Sequence, residues 1–316
     1  MWKPIHLVRP NTRIDFMRWH RVTFAVAVIM TLGSVGLLFT KGLNFGIDFA
    51  GGILMEVRAP QQPDLGDMRQ RLSGLGFGEV SLQSFGDPNT VLIRLPQQAG
   101  GEQAQQTAIS KVRGELGSNW DYRRTETVGP KVGSELVKNA VVAATLAMAG
   151  IFAYVWIRYA WQFGLNALLA MIHDVLTTLG LFSLLGLQFD LATVAAILTV
   201  AGYSVNDKVV VFDRIRFEMR RYKTMPMGDV INLSVNETLS RTTVTAGLTL
   251  ISVIALFLFG GEVLHGFAIA LIWGITIGTY STICIAASGL LNLRHSKIRG
   301  DDQDAKESGK GATRGA

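Results

Sequence analysis

Six long apolar segments constrain the fold of this chain more than any other feature. A helix needs about 20 mostly apolar residues to cross a hydrocarbon core roughly 30 Å thick, whereas a buried strand runs for only roughly four to eight. Each segment is long enough to cross a membrane as a helix. The segments lie at residues 22–40, 137–157, 164–186, 191–212, 243–260 and 266–293. The sequence therefore predicts an α-helical membrane protein with six transmembrane helices.

The composition favours a membrane protein over a water-soluble enzyme. Only 17% of the residues are charged and 49% are hydrophobic, whereas ordinary globular domains carry about 25% charged residues. The single cysteine, Cys284, excludes an intrachain disulfide and a cysteine-based zinc or iron–sulfur site. The chain also has no GxxxxGK[S/T], GxSxG or HExxH pattern. We therefore expect a protein that is not an enzyme and uses no metal and no organic cofactor.

The basic residues are concentrated in three segments of the chain. The net charge is +6 and the pI is near 9.5, a balance that raises the question of a nucleic-acid partner. Lysine and arginine cluster in residues 1–21, 213–241 and 294–316, whereas the short loops at 187–190 and 261–265 contain neither. Six alternating helices put the three clusters on one side of the membrane, and basic loops favour the cytoplasm. We expect both termini in the cytoplasm and no nucleic-acid partner.

The first apolar segment begins like a secretory signal peptide, with basic residues before an apolar run. The apolar region of such a peptide has about 7 to 15 residues and ends at a cleavage site flanked by small residues. The run at 22–40 is longer and leads directly into Lys41 without a good small-x-small site. We interpret it as an uncleaved membrane anchor.

Residues 41–136 are predicted to form a periplasmic domain, because they follow a helix that begins in the cytoplasm. The pattern predicts strands at 53–58, 80–85, 90–95 and 120–128 and helices at 65–75 and 102–116. Gly86-Asp87-Pro88-Asn89 supplies turn residues between the second and third strands. The order β-α-β-β-α-β is that of the ferredoxin-like fold. This fold hosts many unrelated functions, so it does not identify one.

The predicted organisation of the chain follows from these segments. It consists of a cytoplasmic N-terminal tail (1–21), a first transmembrane helix (22–40), the periplasmic ferredoxin-like domain (41–136), a five-helix transmembrane bundle (137–293) with an amphipathic, helical cytoplasmic loop (213–240), and a disordered cytoplasmic tail (294–316). In the sixth segment, Gly274-x-x-x-Gly278 would let another backbone approach closely, either within the bundle or from a second chain.

Polar groups inside the predicted bundle are the candidates for chemistry, because an ionisable side chain there costs about 2.5 to 3.5 kcal/mol on insertion scales. The third segment contains His173 and Asp174, the fourth contains Asn206, Asp207 and Lys208, and Arg241 opens the fifth. A buried carboxylate suits proton transfer because burial and a nearby cation act on its pKa in opposite directions. Moving one charge through 100 mV supplies about 2.3 kcal/mol. The sequence is therefore consistent with proton coupling.

A static ion pair is the alternative for the same residues. Asp207 could pair with Arg241 or with Lys208 and only hold the helices together. Alternatively, the long side chain of Lys208 could extend so that its ammonium group reaches the cytoplasmic surface. His173 is the neighbour of Asp174 in the chain and therefore points about 100° away on a helix. The residues alone leave these alternatives open.

Two long motifs carry a resemblance to a known family. Gly46-Ile47-Asp48-Phe49-Ala50-Gly51-Gly52, after the first apolar segment, resembles the glycine-rich motif of the bacterial SecD and SecF family of protein-export membrane proteins. The stretch Gly202 to Asp207, continuing to Arg216, resembles the fourth-helix motif of the SecF members, and Ser240-Arg241-Thr242-Thr243 and Phe259-Gly260-Gly261 extend the match. The resemblance covers nearly the whole chain apart from the C-terminal tail.

The resemblance implies a SecF-like subunit in the inner membrane that assists export of unfolded preproteins at the expense of the proton-motive force, within the resistance-nodulation-division superfamily. It implies a SecD half, the SecYEG channel, a YajC-like accessory subunit, an unfolded preprotein and membrane lipid as partners. In this family the fourth-helix aspartate and the arginine at the start of the fifth helix belong to the proton pathway, which corresponds to Asp207 and Arg241. Asp174 and Asn206 are further candidates. Gly46, Asp48, Gly51 and Gly52 are expected to join the helix to the domain.

The sequence departs from the family pattern at two places. Lys208 stands where a small polar residue often follows the Asn-Asp pair. Phe217 stands where the family pattern has a glutamate, and in this chain the glutamate follows one position later, as Glu218. These departures bear on the tuning of the site and on cytoplasmic contacts. Two other functions stay open at this point: a passive assembly subunit without its own proton coupling, and half of a small-molecule or lipid exporter.

Overall fold

The computed structural model describes residues 12–78 and 80–292, and most of their residues are helical. A 3₁₀ turn (Met17–Trp19) precedes the first helix. In chain order the elements are α1 (His20–Thr40), β1 (Asn44–Phe45), α2 (Ile47–Ala50), β2 (Gly52–Arg58), α3 (Leu65–Ser73), β3 (Ser81–Phe85), β4 (Asp87–Leu95), α4 (Gly101–Leu116), β5 (Asp121–Val128), α5 (Pro130–Arg158), α6 (Trp161–Leu185), β6 (Gln188–Phe189), α7 (Leu191–Arg221), α8 (Met227–Phe259), α9 (His265–Ser281), a π-helical turn (Thr282–Ala287) and a 3₁₀ segment (Ser288–Asn292). The predicted tail at 294–316 and the first 11 residues of the tail at 1–21 lie outside the described residues.

Six helices are long and apolar enough to cross a membrane: α1 and α5 to α9. The predicted fold class, a six-helix membrane protein with one small sheet domain, is confirmed. Within the bundle, α6, α7 and α9 are buried over 50–56% of their apolar spans, whereas α1, α5 and α8 are buried over only 6–17%. The central position of α6, α7 and α9 makes their polar side chains the ones that meet inside the protein.

The helices cross closely at glycines. A Cβ on Gly274 would lie 2.3 Å from Val200 Cγ2, and a Cβ on Gly278 would lie 2.9 Å from Ser204 Oγ, so both glycines of the predicted small-residue motif pack against α7 of the same chain. At Gly180, a Cβ would lie 2.2 Å from Ser34 Oγ on α1. Because a larger residue would push these helices apart, the glycines set the positions of α9 and α1 against the core of the bundle.

The domain between α1 and α5 is a four-stranded antiparallel sheet in the order β3-β4-β2-β5, which is the ferredoxin-like arrangement. Alternate residues of β2 and β4 point to one face, where they pack against α3 and α4. The core on this face includes Ile53, Met55, Val57, Leu72, Val91, Ile93, Leu95 and Val112. On the other face, Leu54 and Leu92 pack against Ile47 of α2, so this face is turned toward the motif that follows α1.

Two predicted boundaries are wrong. The turn expected at 86–89 is shorter, because β4 begins at Asp87 and Gly86 alone makes the turn with φ 68°. The domain expected to end at 136 ends earlier, because α5 begins at Pro130, and proline is favoured in the first turn of a helix.

The segment at 213–240, expected to be a helical and amphipathic loop, agrees with that expectation of helix. It is mostly helical, because α7 continues to Arg221 and α8 begins at Met227. The loss of hydrophobicity at 213 does not end the helix, since the residues that follow are good helix formers.

Candidate functional site

Asp174 is the centre of a buried polar cluster inside the bundle. Its Oδ2 atom accepts hydrogen bonds from Ser204 Oγ at 2.7 Å, Ser281 Oγ at 2.9 Å and Lys208 Nζ at 3.0 Å. Lys208 Nζ also donates to Ser281 Oγ at 3.1 Å and to Ser204 Oγ. The side chains of Asp174 and Lys208 are 0% and 1% exposed. We call these four residues the Asp174 cluster.

The three central helices supply the members of the Asp174 cluster. Ser204 and Lys208 are four residues apart on α7 and therefore share one face of it. Asp174 lies on α6, and Ser281 is the last residue of α9 before the π-helical turn. Single π-helical turns of this kind are frequent at functional sites. The cluster thus joins α6, α7 and α9 through hydrogen bonds in an otherwise apolar core.

The partner of Lys208 differs from both alternatives left open by the sequence. Lys208 neither pairs with Asp207 nor extends to the cytoplasm; its ammonium group turns inward and binds Asp174. The physical reason is helical geometry, because Asp207 is the preceding residue and points about 100° away from Lys208. A sequence cannot reveal which neighbouring helix will offer a counter-ion.

Asp207 lies beside the Asp174 cluster without joining it. Its side chain is 3% exposed, and Oδ2 has no hydrogen-bond partner among the described residues. Arg241, on α8, is exposed and forms no ion pair with Asp207, and Asn206 lies on the exposed side of α7. Of the four predicted pathway residues, the structure therefore buries Asp174 and Asp207 and leaves Arg241 and Asn206 at the surface.

His173 faces away from the Asp174 cluster, toward α1. Its Nδ1 atom is 2.7 Å from Thr31 Oγ1, and Nε2 has no partner among the described residues. Sequence reasoning missed Thr31 and Ser281 as members of polar contacts, because a lone hydroxyl in an apolar helix usually bonds its own backbone. Of the hydroxyl groups in these contacts, only Ser204 could have been inferred from the sequence, because it lies four residues before Lys208 on the same face of α7.

The glycine-rich motif connects the domain to the bundle. Gly51 and Gly52 have φ values of 72° and 122°, and a Cβ on Gly52 would lie 2.4 Å from Leu95 O. Only glycine adopts this conformation in this space. Gly46 N donates to Phe189 O at 2.8 Å, and a Cβ on Gly46 would lie 2.8 Å from Gln188 Nε2. The motif therefore touches both the sheet and the loop between α6 and α7.

The start of α7 is bonded to residues on the domain side of the chain. Asp48 Oδ2 accepts from the backbone N–H of Leu191, the first residue of α7, at 3.1 Å. The N-cap residue Asp190 accepts from Thr193 N at 2.8 Å. Two carboxylates at a helix N-terminus satisfy free N–H groups and oppose the positive end of the helix dipole.

Two further contacts complete this connection, which we call the joint (residues 44–52 with 186–191). β1 and β6 pair in parallel, with Asn44 opposite Gln188. Arg94, on β4 of the domain, donates to Gln188 Oε1. Burial lowers the pKa of Arg94, and the charge of Asp190 opposes that shift. The joint thus links the outer domain directly to the helix that carries Ser204 and Lys208.

The fold and the two sites define a multi-pass membrane protein with one small α+β domain outside the bundle and a buried ion pair within it. Among the described residues, no group of His, Cys, Asp and Glu is suited to hold a metal ion. The class is therefore that of a membrane subunit built around buried polar contacts.

Comparison with known proteins identifies the family. The family model "Protein export membrane protein SecD/SecF, C-terminal" matches residues 108–296, and the model "SecD/SecF GG Motif" matches residues 36–61. The chain is 42% identical to the protein translocase subunit SecF of Rhodobacter capsulatus, over 95% of each chain. It is 43% identical to that of Rickettsia bellii, over 93% of this chain and 98% of the relative.

Two solved structures resemble the fold. SecDF of Thermus thermophilus, described as a translocon-associated membrane protein, has a TM-score of 0.81 and 36% identity over 91% of this chain. SecDF in its super-membrane-facing form has a TM-score of 0.68 and 35% identity over 97% of this chain. The chain spans only 39% and 41% of those two chains. This chain belongs to the SecD/SecF family of protein-export membrane proteins, and the sequence-based prediction of a SecF-like membrane subunit of the export machinery is confirmed.

Proposed function

We propose that this chain is the SecF-type half of an accessory complex of the Sec translocase and that it couples the proton-motive force to preprotein export. The observation that carries the proposal is the buried carboxylate of Asp207, without a hydrogen-bond partner on Oδ2, beside the Asp174 cluster. The names of the relatives support the translocase role. The solved SecDF chains are more than twice as long as the part this chain matches, which supports a separate SecD half as partner.

The other partners and the location belong to the same proposal. The SecYEG channel, a YajC-like subunit and an unfolded preprotein are the proposed contacts outside the SecD half, and the proposed location is the inner membrane with both termini in the cytoplasm. The orientation rests on basic residues such as Arg214, Arg220 and Arg221 at one end of α7, opposite the domain.

The two buried carboxylates have different proposed roles. Asp174 is bonded to an ammonium group and two hydroxyl groups, so its negative charge is balanced inside the bundle. Asp207 has no such cation bound to it, and we assign to it the gain and loss of the proton. One proton moved through 100 mV supplies about 2.3 kcal/mol, enough to bias an equilibrium of a few kcal/mol between two arrangements of α7.

The joint is the proposed route from the bundle to the outer domain. α7 carries Asp207 and begins at Leu191, whose N–H is bonded to Asp48 of the glycine-rich motif. A shift of α7 would therefore move the motif and, through Gly51 and Gly52, the sheet. In this proposal Gly46, Asp48, Gly51 and Gly52 transmit movement rather than bind the exported chain.

A passive assembly subunit is the second candidate, and one observation favours it. The ion pair of Asp174 with Lys208 holds three helices together, as a purely structural polar core would. No such observation favours half of a small-molecule or lipid exporter, and the relatives are named translocase subunits.

The test is export into inverted membrane vesicles that contain Asp207→Asn together with the SecD half. Proton-gradient stimulation of export is expected to disappear while the two halves still co-purify. The matched control is Asp213→Asn, which removes a half-exposed carboxylate six residues further along α7 and is expected to keep the stimulation. Undiminished stimulation with Asp207→Asn would support the passive subunit instead.

A further inference from the structure

A groove of about 570 Å³ lies on the lateral surface of the bundle. Its walls come from α1, from α6 and from residues 285–289 that follow α9. The groove is separate from the joint and plays no part in the proposed proton transfer. Because α1 is buried over only 6% of its apolar span, the groove lies between a mostly exposed helix and the core of the bundle.

One wall of the groove is an apolar stripe on α1. Phe24, Val28 and Leu32 recur every four residues and are 46%, 41% and 65% exposed. Leu169 and Ile172 of α6 line the opposite wall. Apolar residues facing lipid are ordinary in a membrane, so the stripe by itself indicates only an acyl chain.

The other end of the groove is polar and basic. His20 and Arg21 begin α1, and Asn166 near the start of α6 and Ser288 from the final segment lie at the same end. Arg21 is exposed and forms no ion pair with any residue in the described part of the chain. A guanidinium group at the membrane surface favours a phosphate, which it can bind through two hydrogen bonds.

The length of the groove matches one leaflet of the bilayer. Arg21 and Leu32 are separated by 11 helical steps along α1, or about 16 Å at 1.5 Å per residue. Half of a hydrocarbon core is about 15 Å. At the deep end, Thr31 and His173 bond to each other, so the apolar side chains are left to contact a tail.

The final segment fixes the shape of the polar end. A Cβ on Gly289 would lie 1.9 Å from Asn166 Oδ1, so this segment packs directly against α6. From the charge at Arg21, the apolar stripe and the matching length, we infer that the groove binds one anionic glycerophospholipid of the cytoplasmic leaflet. The bound lipid bridges α1 to α6 and to the final segment, and so stabilises the packing of α1.

The test uses the full chain purified in a non-ionic detergent. Phosphatidylglycerol is expected to raise the midpoint of thermal unfolding more than phosphatidylcholine with the same acyl chains. Arg21→Gln is expected to abolish that difference, and Val28→Trp, which fills the apolar part, to abolish the response to both lipids. Arg18→Gln is the matched control, because Arg18 lies at the same end of the bundle but does not line the groove.

Native mass spectrometry gives a second readout that does not depend on stability. One lipid, phosphatidylglycerol in preference to phosphatidylcholine, is expected to stay bound to the original chain and to Arg21→Lys, and Arg21→Gln is expected to show no preference between the two. Equal effects of the two lipids, or a preference that survives Arg21→Gln, would overturn the inference. A photoreactive residue at Leu32 that crosslinks to a protein helix rather than to lipid in native membranes would overturn it as well.

Discussion

Lys208 Nζ lies 3.0 Å from Asp174 Oδ2, and both side chains are excluded from the surface of the bundle. The pair links α7 to α6, and the hydroxyl groups of Ser204 and Ser281 bond to both of its charged groups. The bonds to Asp174 all converge on Oδ2, and Oδ1 of Asp174 has no hydrogen-bond partner among the described residues. The helix that carries the proposed proton-binding residue is therefore held by a second carboxylate, through its Oδ2 atom.

Lys208→Met is expected to destabilise the bundle by about 3 kcal/mol or more, because it leaves the carboxylate of Asp174 buried without its cation. Asp174→Asn combined with Lys208→Met removes both charges and is expected to restore most of the loss. A double-mutant cycle on the unfolding of the purified chain measures the coupling. Strictly additive effects of the two substitutions would contradict a paired role.

Gly52→Ala is expected to disrupt the junction of the motif with the sheet. The added Cβ would lie 2.4 Å from Leu95 O, at a φ of 122° that alanine rarely adopts, and backbone strain of this kind costs about 1–3 kcal/mol before the steric clash is added. Gly114→Ala, in α4 of the same domain with no heavy atom within 4 Å of its Cβ, is the control and is expected to be neutral or stabilising. Thermal unfolding of both variants checks the comparison.

Asp48→Ala is expected to weaken the start of α7 by about 1 kcal/mol, the usual loss when a capping acceptor is removed. Asp48→Asn keeps an oxygen acceptor for Leu191 N and is expected to stay close to the original protein. Hydrogen exchange of the amides at 191–194 reports the change directly. Equal exchange in the two variants would show that the bond from Asp48 contributes nothing.

A disulfide between cysteines introduced at Asn44 and Gln188 tests whether the joint stays closed during export. These residues are opposite each other in the β1–β6 pair, and neighbouring strands lie about 4.8 Å apart, within the range a disulfide spans. With Cys284→Ala as background, the oxidised protein is expected to keep proton-stimulated export. Export that stops on oxidation and returns on reduction, but not in either single-cysteine variant, would mean that the joint must open.

The sequence predicted the elements of the fold because each depends on local pattern. Apolar length located the six membrane helices, and the strands of the domain were found within a few residues from alternation and turn residues. Helix was expected on both sides of residue 213, but hydropathy did not show that α7 continues through this residue to Arg221 as one helix. The turn predicted at 86–89 was too long, because Gly86 alone, with its positive φ, connects β3 to β4.

The contacts of the site were less predictable than its members. Asp174, Asp207 and Lys208 stood out as charges in apolar segments, but their pairing depends on how α6, α7 and α9 are rotated against one another. That rotation is set by close approaches such as Gly278 to Ser204, which involve residues far apart in the chain. Asp48 was recognisable from its motif, but its bond to Leu191 spans 143 residues and has no local signature.

α7 runs without interruption for 31 residues, from the joint to Arg221, a length of about 46 Å at 1.5 Å per residue. A bilayer measures about 40–45 Å across when its headgroups are included. A single hydrogen-bonded helix of this length is long enough to cross a bilayer together with its headgroups. An axial displacement at either end would appear at the opposite end at nearly full size, so the end of α7 at Arg221 would follow any movement of the joint.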